Sequence, residues 1–429
     1  MTSQRAYVQL AVSALLLAGN VGLTFAGSAI LTRVLGPAEF GVYALVIAWV
    51  TLLTVPAHFG LPTLISRELA AGQARGSHGL SAGLIRRSHQ FILLTGAVLM
   101  VGAAGLGWAT GKGTPALLAG LPLILLLPLA AARSAMMRGI GQVLQGQWPE
   151  NLLRPGLLVV LLGLFWWSGQ ATTPVEAVGL TTVATAVALI VSLFQWWRLR
   201  PAGLKGAAPV YADAAWLKSL WPFARGVGVG IVSVQIRVSI LGLFRPVAEV
   251  GLLRVAAQTA QLAAMGYTAV IMNVSPQIAA ASARGDVGGM ARAARQGARF
   301  STLFAAPVAL VMIIGSGPIM GLLFGPGFEV GGLALAVLAG GHVVNAAFGC
   351  GAALLNMTGH ERDCLWALAA GLATQVAAAL VLCPLFGLTG AAVASMLGVV
   401  ATNVAMRHLA IYRTGIDPAV WARGGAGHG

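Results

Sequence analysis

Long apolar runs recur along the whole chain, and short polar connections separate them. Runs of about 20 residues match the length at which an α-helix crosses the hydrocarbon core of a bilayer. They lack the alternation of apolar and polar residues that is typical of membrane strands, so the pattern predicts helices. About twelve such spans are predicted, at residues 8–32, 40–61, 88–109, 115–137, 152–168, 175–197, 219–243, 249–275, 300–324, 330–356, 365–385 and 389–411.

Composition supports the same class of protein. Hydrophobic residues make up 58% of the 429 positions and charged residues only 9%, whereas soluble domains carry roughly 25% charged residues. The charged start of the chain is followed by an apolar stretch too long for a signal peptide, which is therefore interpreted as the first span. The chain is predicted to be an all-α polytopic membrane protein. Cys350, Cys364 and Cys383 have no metal-ligand spacing, so they predict buried side chains and no metal site.

The basic residues predict an orientation. The formal net charge is +15, from 26 Lys+Arg against 11 Asp+Glu. In a soluble chain this excess would suggest nucleic acid as a partner. Here most basic residues lie in the even-numbered connections and the two tails, whereas the outer connections hold only Arg33, Lys112 and Arg245. This asymmetry predicts that both termini are cytoplasmic, that the basic loops face anionic lipid, and that nucleic acid is not a partner.

An internal repeat divides the spans into two sets. Pro37-Ala-Glu-Phe-Gly-Val-Tyr43 opens the second predicted span, and Val247-Ala-Glu-Val-Gly-Leu-Leu253 opens the eighth. The repeat predicts two six-helix lobes, at residues 1–205 and 206–429. Because six is even, both lobes have the same orientation, as in transporters with parallel repeats that hold substrate between the halves.

Three arginines stand out in the seventh and eighth predicted spans. Arg225, Arg237 and Arg254 lie in apolar surroundings with no acidic residue in either span interior. An arginine near the centre of a membrane helix costs about 2.5–3.5 kcal/mol on insertion scales, so it normally faces a cavity and has a function. Guanidinium groups bind phosphate oxygens in a bidentate manner. The arginines are predicted to bind an anionic headgroup; the alternative is that they reach the membrane interfaces from shallow depths.

Two glutamines extend this candidate site. Gln258 and Gln261 share one helical face with Arg254, and such a polar stripe on an apolar helix predicts a water-filled cavity. Arg33, near Glu39, is interpreted mainly as half of a structural pair, with substrate contact as the alternative.

Three segments resemble those of a known family. They are Leu31-Thr-Arg-Val-Leu-Gly-Pro-Ala-Glu-Phe-Gly-Val-Tyr43, then Met137-Arg-Gly139 with 148–155, and Glu249-Val-Gly251 with Ala256-Ala-Gln258. Together they are similar to the polysaccharide-export flippases of the multidrug/oligosaccharidyl-lipid/polysaccharide (MOP) exporter superfamily. The resemblance implies the fold of that superfamily, which includes the MATE transporters.

It further implies an O-antigen type flippase of the bacterial inner membrane, which moves undecaprenyl-pyrophosphate-linked sugars outward. Polysaccharide polymerase and chain-length proteins are the implied partners. Many relatives carry an acidic residue in the seventh span, where this chain reads Val234-Gln-Ile-Arg-Val238, which argues against acid-based ion coupling.

Alternative functions remain open. A cation-coupled drug antiporter would need a membrane carboxylate, whereas all 11 acidic residues are placed in loops or at span ends. A lipid II flippase of the same superfamily usually has more spans. A membrane polysaccharide polymerase or ligase would need a large outer loop with catalytic residues. His58 and His342 are interpreted as packed, hydrogen-bonded residues. No catalytic residue and no cofactor is predicted.

Overall fold

The computed structural model describes residues 3–109, 114–168 and 172–422, with the side chains of 3–11, 14 and 221–227 outside the description. Regular structure within these residues is helical throughout. A π-helical turn, Pro149–Leu153, joins α6 to α7, and short 3-10 turns lie at Ala202–Leu204 and Glu329–Gly331. The helices are α1 (Ser3–His58), α2 (Leu61–Arg75), α3 (His78–Ala109), α4 (Pro115–Gly120), α5 (Leu123–Gly139), α6 (Val143–Trp148), α7 (Arg154–Trp167), α8 (Pro174–Leu199), α9 (Asp213–Phe244), α10 (Val247–Ala283), α11 (Val287–Ile314), α12 (Ser316–Phe324), α13 (Gly332–Phe348), α14 (Gly351–Met357) and α15 (Glu361–Thr414).

Two of the long helices are each broken once by a glycine. Gly36 has φ 69° and ψ 176° inside α1, and Gly387 has φ 54° and ψ −130° inside α15. Positive φ is readily adopted by glycine because it has no Cβ. Each break therefore divides one helical stretch into two spans. The first break lies directly before Pro37, whose ring fixes a φ suited to the first turn of the next helix.

The helices account for the predicted spans. Within the described residues, eight helical stretches are long and apolar enough to cross a membrane. Two of these contain the glycine breaks, and α9 and α10 supply the seventh and eighth predicted spans. Large apolar side chains such as Leu94, Ile314 and Leu322 are exposed, as expected of a surface that faces lipid. The prediction of an all-α polytopic membrane protein is confirmed.

The fifth span begins earlier than predicted. Its helical stretch starts at Val143, whereas the sequence placed the start at residue 152. The helical backbone continues through Pro149 as a π-helical turn, although Pro149 lies outside the predicted spans. Glu150 consequently lies inside a helical stretch rather than in a connecting loop.

The chain divides into two compact units, residues 1–235 and 236–429. The first part of α9 belongs to the first unit, where Asp213 forms an ion pair with Arg87 at 2.7 Å between Oδ2 and Nη2. Trp216 and Leu220 join an apolar core of that unit. The linker before α9 and the start of α9 both pack on the first unit. The lobe boundary at 205/206 stays a prediction.

In the first unit, α2 packs on α5. Leu64, Ile65 and Leu69 are completely buried against Met136 and Met137. Because α2 is short and follows a sharp turn after α1, this packing fixes the end of α1 close to the end of α5.

In the second unit, the C-terminal tail folds back onto the helices. The amide of Val420 donates to the carbonyl of Ala347 at 2.9 Å, and Trp421 packs edge-on against Phe348 with ring centroids 5.1 Å apart. Nε of Arg407 donates to Oδ1 of Asp417 at 2.9 Å. The tail is therefore tied to α13 and α15.

The Glu249 carboxylate connects three segments of the second unit. One oxygen, Oε1, accepts from Nε of Arg245 at 3.0 Å, just after α9. The other, Oε2, accepts from the amide of Leu388 at 2.6 Å, directly after the break in α15. A carboxylate at a helix N-terminus satisfies free amides and interacts favourably with the helix dipole. A Cβ at Gly387 would overlap Oε2 of Glu249 and lie 2.8 Å from Nε of Arg245.

Replacing Gly387 by Ala should therefore lower the melting temperature by several degrees. Positive φ costs an L-residue about 1–2 kcal/mol, and the new methyl group would displace the Glu249 carboxylate. Thermal unfolding of the purified protein in detergent measures this. Gly340→Ala is the matched control, because a Cβ there meets nothing within 4 Å. Equal melting temperatures for the two variants would contradict this account of the break.

The tail ion pair predicts a pH dependence. The pKa of the Asp417 carboxyl lies below its ordinary value, first because Arg407 donates hydrogen bonds to it. A depressed pKa means that the pair stabilises the fold above the unfolded pKa of about 3.9. That contribution, about 0.5–1 kcal/mol, is lost as the pH falls through the folded pKa.

Asp417→Asn should therefore lower the melting temperature at neutral pH, and its effect should shrink as the pH falls through the folded pKa of Asp417. Glu361→Gln, which changes an exposed carboxyl at the start of α15, is the control. If Asp417→Asn lowered the melting temperature equally at neutral pH and at low pH, the charge of the Arg407–Asp417 pair would not be the cause of the loss.

Candidate functional site

The candidate site is built on the hairpin of α9 and α10. Pro246 precedes the first residue of α10, and the Arg245–Glu249 ion pair holds the turn. Arg237 lies about two helical turns before the end of α9, and Arg254 about two turns after the start of α10. The two arginines therefore lie at similar distances, about 10 Å, from the same end of the hairpin.

Arg237 and Arg254 lie within electrostatic range of each other, and their positive charges repel. Nε of Arg237 is withdrawn from solvent and has no hydrogen-bond partner among the described residues. Arg254 is half-buried. Two neighbouring cations, one with a guanidinium nitrogen withdrawn from solvent, favour binding of an anion, since the anion would relieve the repulsion and supply a hydrogen-bond partner.

His342 of α13 is a third member of this cluster. The charge of Arg237 reaches its imidazole. One turn further along α13, Oδ1 of Asn345 accepts from Nδ2 of Asn403 at 2.9 Å. Sequence reasoning interpreted His342 as an isolated packed residue, because nothing local to α13 indicates that Arg237 lies beside it. The helical spacing of His342 and Asn345 was the one available signal of a polar face.

The predicted polar stripe of α10 lies on the face away from the core. Arg254 and Gln258 are half-buried, and Gln261 is exposed. The opposite face is completely buried, with Leu253 and Ala256 among its residues. Arg254, Gln258 and Gln261 thus lie on a face of α10 that the core of the second unit does not cover, while the substrate role of these side chains stays a prediction.

The remaining predicted residues are not part of this cluster as described. Arg33 is exposed in the first unit, three residues before the break at Gly36. Arg225 lies in α9 with its side chain outside the described residues. Within the part of the chain that the structure describes, no group of three or more His, Cys, Asp and Glu side chains could hold a metal ion.

A family model decides the classification. Residues 10–281 match the family described as "Polysaccharide biosynthesis protein". The chain belongs to this family. The description of this family agrees with the resemblance that was seen in the segments 31–43, 137–155 and 249–258. All three segments lie within the matched region.

A curated relative is named as a flippase. The chain is 24% identical over 405 residues to "Probable low-salt glycan biosynthesis flippase Agl15" from Haloferax volcanii. The match covers 91% of this chain and 80% of the relative. The chain is therefore similar, over nearly its whole length, to a protein that is named as a flippase.

Solved structures show that the family member has the MOP fold. An inward-facing multidrug resistance MATE family transporter of the MOP superfamily matches with a TM-score of 0.78 at 14% identity, covering 92% of this chain and 94% of that one. The lipid II flippase MurJ in an inward closed conformation matches with a TM-score of 0.73 at 11% identity, covering 92% and 86%. The fold predicted from the sequence is confirmed.

Replacing Arg237 by Gln should raise the melting temperature of the ligand-free protein. The substitution removes one of two repelling charges and a poorly hydrated cation, a gain on the order of 1 kcal/mol. Thermal unfolding in detergent measures it. Arg237→Lys keeps the charge and should give no gain; a decrease in stability with Gln but not with Lys would contradict the picture of a strained cationic site.

Proposed function

We propose that the protein is a flippase that moves undecaprenyl-pyrophosphate-linked oligosaccharides from the cytoplasmic to the periplasmic leaflet of a bacterial inner membrane. The family and the name of the curated relative support transport of a glycan precursor. The relatives are flippases and transporters by name, so transport rather than catalysis is assigned. The observation that carries the headgroup assignment is the Arg237–Arg254 pair.

The chemistry of the pair fits a pyrophosphate. A planar guanidinium donates two parallel hydrogen bonds to phosphate oxygens and stays charged at any physiological pH. Two such groups on adjacent helices match the two phosphates of the headgroup. The amides of Gln258 and Gln261, further along the same face, are placed to hydrogen-bond the attached sugar. Arg33 and Arg225 are further proposed contacts.

In this proposal the lipid tail remains in the bilayer while the headgroup crosses between the two lobes. Alternating access of the lobes exposes the headgroup first to one side of the membrane and then to the other. The basic connections support a cytoplasmic location of both termini. Polysaccharide polymerase and chain-length proteins would then take up the product on the outer side.

The membrane potential favours this direction of transport. A pyrophosphate diester carries about two negative charges, and the cell interior is negative. Each charge moved across 100 mV contributes about 2.3 kcal/mol, so the headgroup gains roughly 4–5 kcal/mol on moving outward. The arginines lower the barrier by compensating the anion within the low-dielectric interior.

Arg237→Ala and Arg254→Ala should each abolish complementation of a host that lacks its own flippase for the same sugar. Each substitution removes one bidentate phosphate contact, so transport should fall at least about tenfold. Membrane insertion, measured by fractionation and fluorescence of a fused reporter, should be unchanged.

Arg292→Ala is the matched control, because Arg292 lies on α11 with 72% of its side chain exposed. Full complementation by both site variants would contradict the proposed headgroup contact. Loss with the control as well would mean that net charge, rather than this pair, determines activity.

A further inference from the structure

A cavity of about 320 Å³ lies within the first unit. The end of α1, the start of α2, the end of α5 and the π-helical turn Pro149–Leu153 meet around it. Its polar lining comes from His58, Thr63, Ser134, Arg138 and Glu150. None of these residues belongs to the arginine cluster of the second unit, so the cavity is a separate feature of the protein.

The backbone departs from α-helical geometry on two sides of this cavity. Phe59, the residue after His58, has φ 31°, and Gly60 has φ 75°. On the other side the chain forms the π-helical turn that contains Glu150. Positive φ at a phenylalanine is strained, and π-helical turns are frequently found at functional sites. Both departures place a titratable side chain at the cavity.

Two buried polar atoms on residues that line the cavity have no hydrogen-bond partner among the described residues. Oε2 of Glu150 lies 3.4 Å from Nη1 of Arg154, whereas its Oε1 has no hydrogen-bond partner among the described residues. Nδ1 of His58 is also buried without a partner there. Leaving a buried polar atom unsatisfied costs about 1–3 kcal/mol. Two such atoms on residues that line one cavity indicate that a proton, a water molecule or a ligand completes their hydrogen bonding.

Few charged groups surround the Glu150 carboxylate. The π-helical turn packs against α1, α6, α7 and α8. Arg154 of α7 is the charge that acts directly on Glu150, and His58 of α1 lines the cavity. The residues of α6 carry no charge, and Glu176 and Arg198 of α8 do not line the cavity.

Across the cavity, Arg138 of α5 donates from Nη1 to Oγ of Ser134 at 2.7 Å. Two guanidinium groups near a single carboxylate make the site unfavourable for a metal cation. A proton meets the same repulsion, but it neutralises the carboxylate, which burial favours, and it adds a hydrogen-bond donor.

We propose that Glu150 and His58, rather than the seventh-span acidic residue that this chain lacks, form a protonation site whose occupancy is coupled to transport. One proton taken up from water on either group gives a donor that the other can accept, directly or through a water molecule. The site lies where α1 turns into α2, so its protonation state acts on the junction of those helices. This inference rests on the proposed flippase function, since the coupled cycle is that of headgroup transport.

Infrared difference spectroscopy tests proton uptake directly, without a transport assay. Spectra of the purified full-length protein are compared at about pH 8 and about pH 5.5, which span the ordinary pKa of histidine and approach that of a carboxyl group. The wild type should show the carbonyl band of a protonated carboxyl group that Glu150→Gln lacks. Glu176→Gln, which changes an exposed capping carboxylate, should retain the band.

His58→Asn should shift this band, because the hydrogen bond to the carboxyl group changes. Glu150→Asp serves as the second variant if Glu150→Gln does not fold, and it should also shift the band. A band that is the same in all variants would overturn the proposal. So would an equal spectral change produced by sodium ions at constant pH, which would assign the site to a metal cation.

Transport in proteoliposomes tests the coupling. Wild-type flipping of a lipid-linked pyrophosphate sugar should change several-fold with pH, and Glu150→Gln should lose this dependence. If Glu150→Gln keeps the wild-type pH profile, the coupling is wrong. If the wild type flips no such lipid while the Glu150 band is present, the proposed function fails and the protonation site stands.

Discussion

The carboxylate of Glu249 fixes the geometry on which the rest of the second unit depends. It joins the turn after α9, the first turn of α10 and the break in α15 through bonds to Arg245 and the amide of Leu388. The Arg245–Glu249 ion pair is partly exposed at this end of the hairpin, so the connection also depends on the bond from Glu249 to the break in α15. Because α10 is held at this point, Arg254 is placed about two helical turns away beside Arg237.

The arginine pair shows the opposite condition. Its charges repel, and Nε of Arg237 has no hydrogen-bond partner among the described residues. A structural arginine in a membrane is normally compensated by a carboxylate or by carbonyl groups. The proposed headgroup binding uses this arrangement, in which a neutralised turn at Glu249 is followed by a cationic pair deeper in the same hairpin. Glu150 and His58 in the first unit are a second place where polar atoms are kept unsatisfied, which separates a candidate proton site from the candidate headgroup site.

Most of the framework could be predicted from the sequence because lipid-facing helices are encoded by long apolar runs. Local sequence also marks where these helices begin and end, as Gly36 and Pro37 do inside α1 and Pro246 does before α10. The features that were missed depend on contacts between distant segments. The charge of Arg237, on α9, reaches His342, on α13, only in the folded second unit. Glu150 lies within a helix because a π-helical turn accommodates Pro149, which local propensity interprets as a break. The first part of α9 packs on the first unit through Asp213 and Trp216, although the polar linker before it suggests a boundary.

The central claim is that the arginine pair binds a lipid pyrophosphate. Its most direct test is equilibrium binding of undecaprenyl pyrophosphate to the protein in nanodiscs, comparing the wild type, Arg254→Gln and the exposed-site variant Arg292→Gln. We expect Arg254→Gln to weaken binding by about tenfold, which is about 1.4 kcal/mol, while Arg292→Gln binds like the wild type. Equal affinity of the wild type and Arg254→Gln for the lipid would contradict the account.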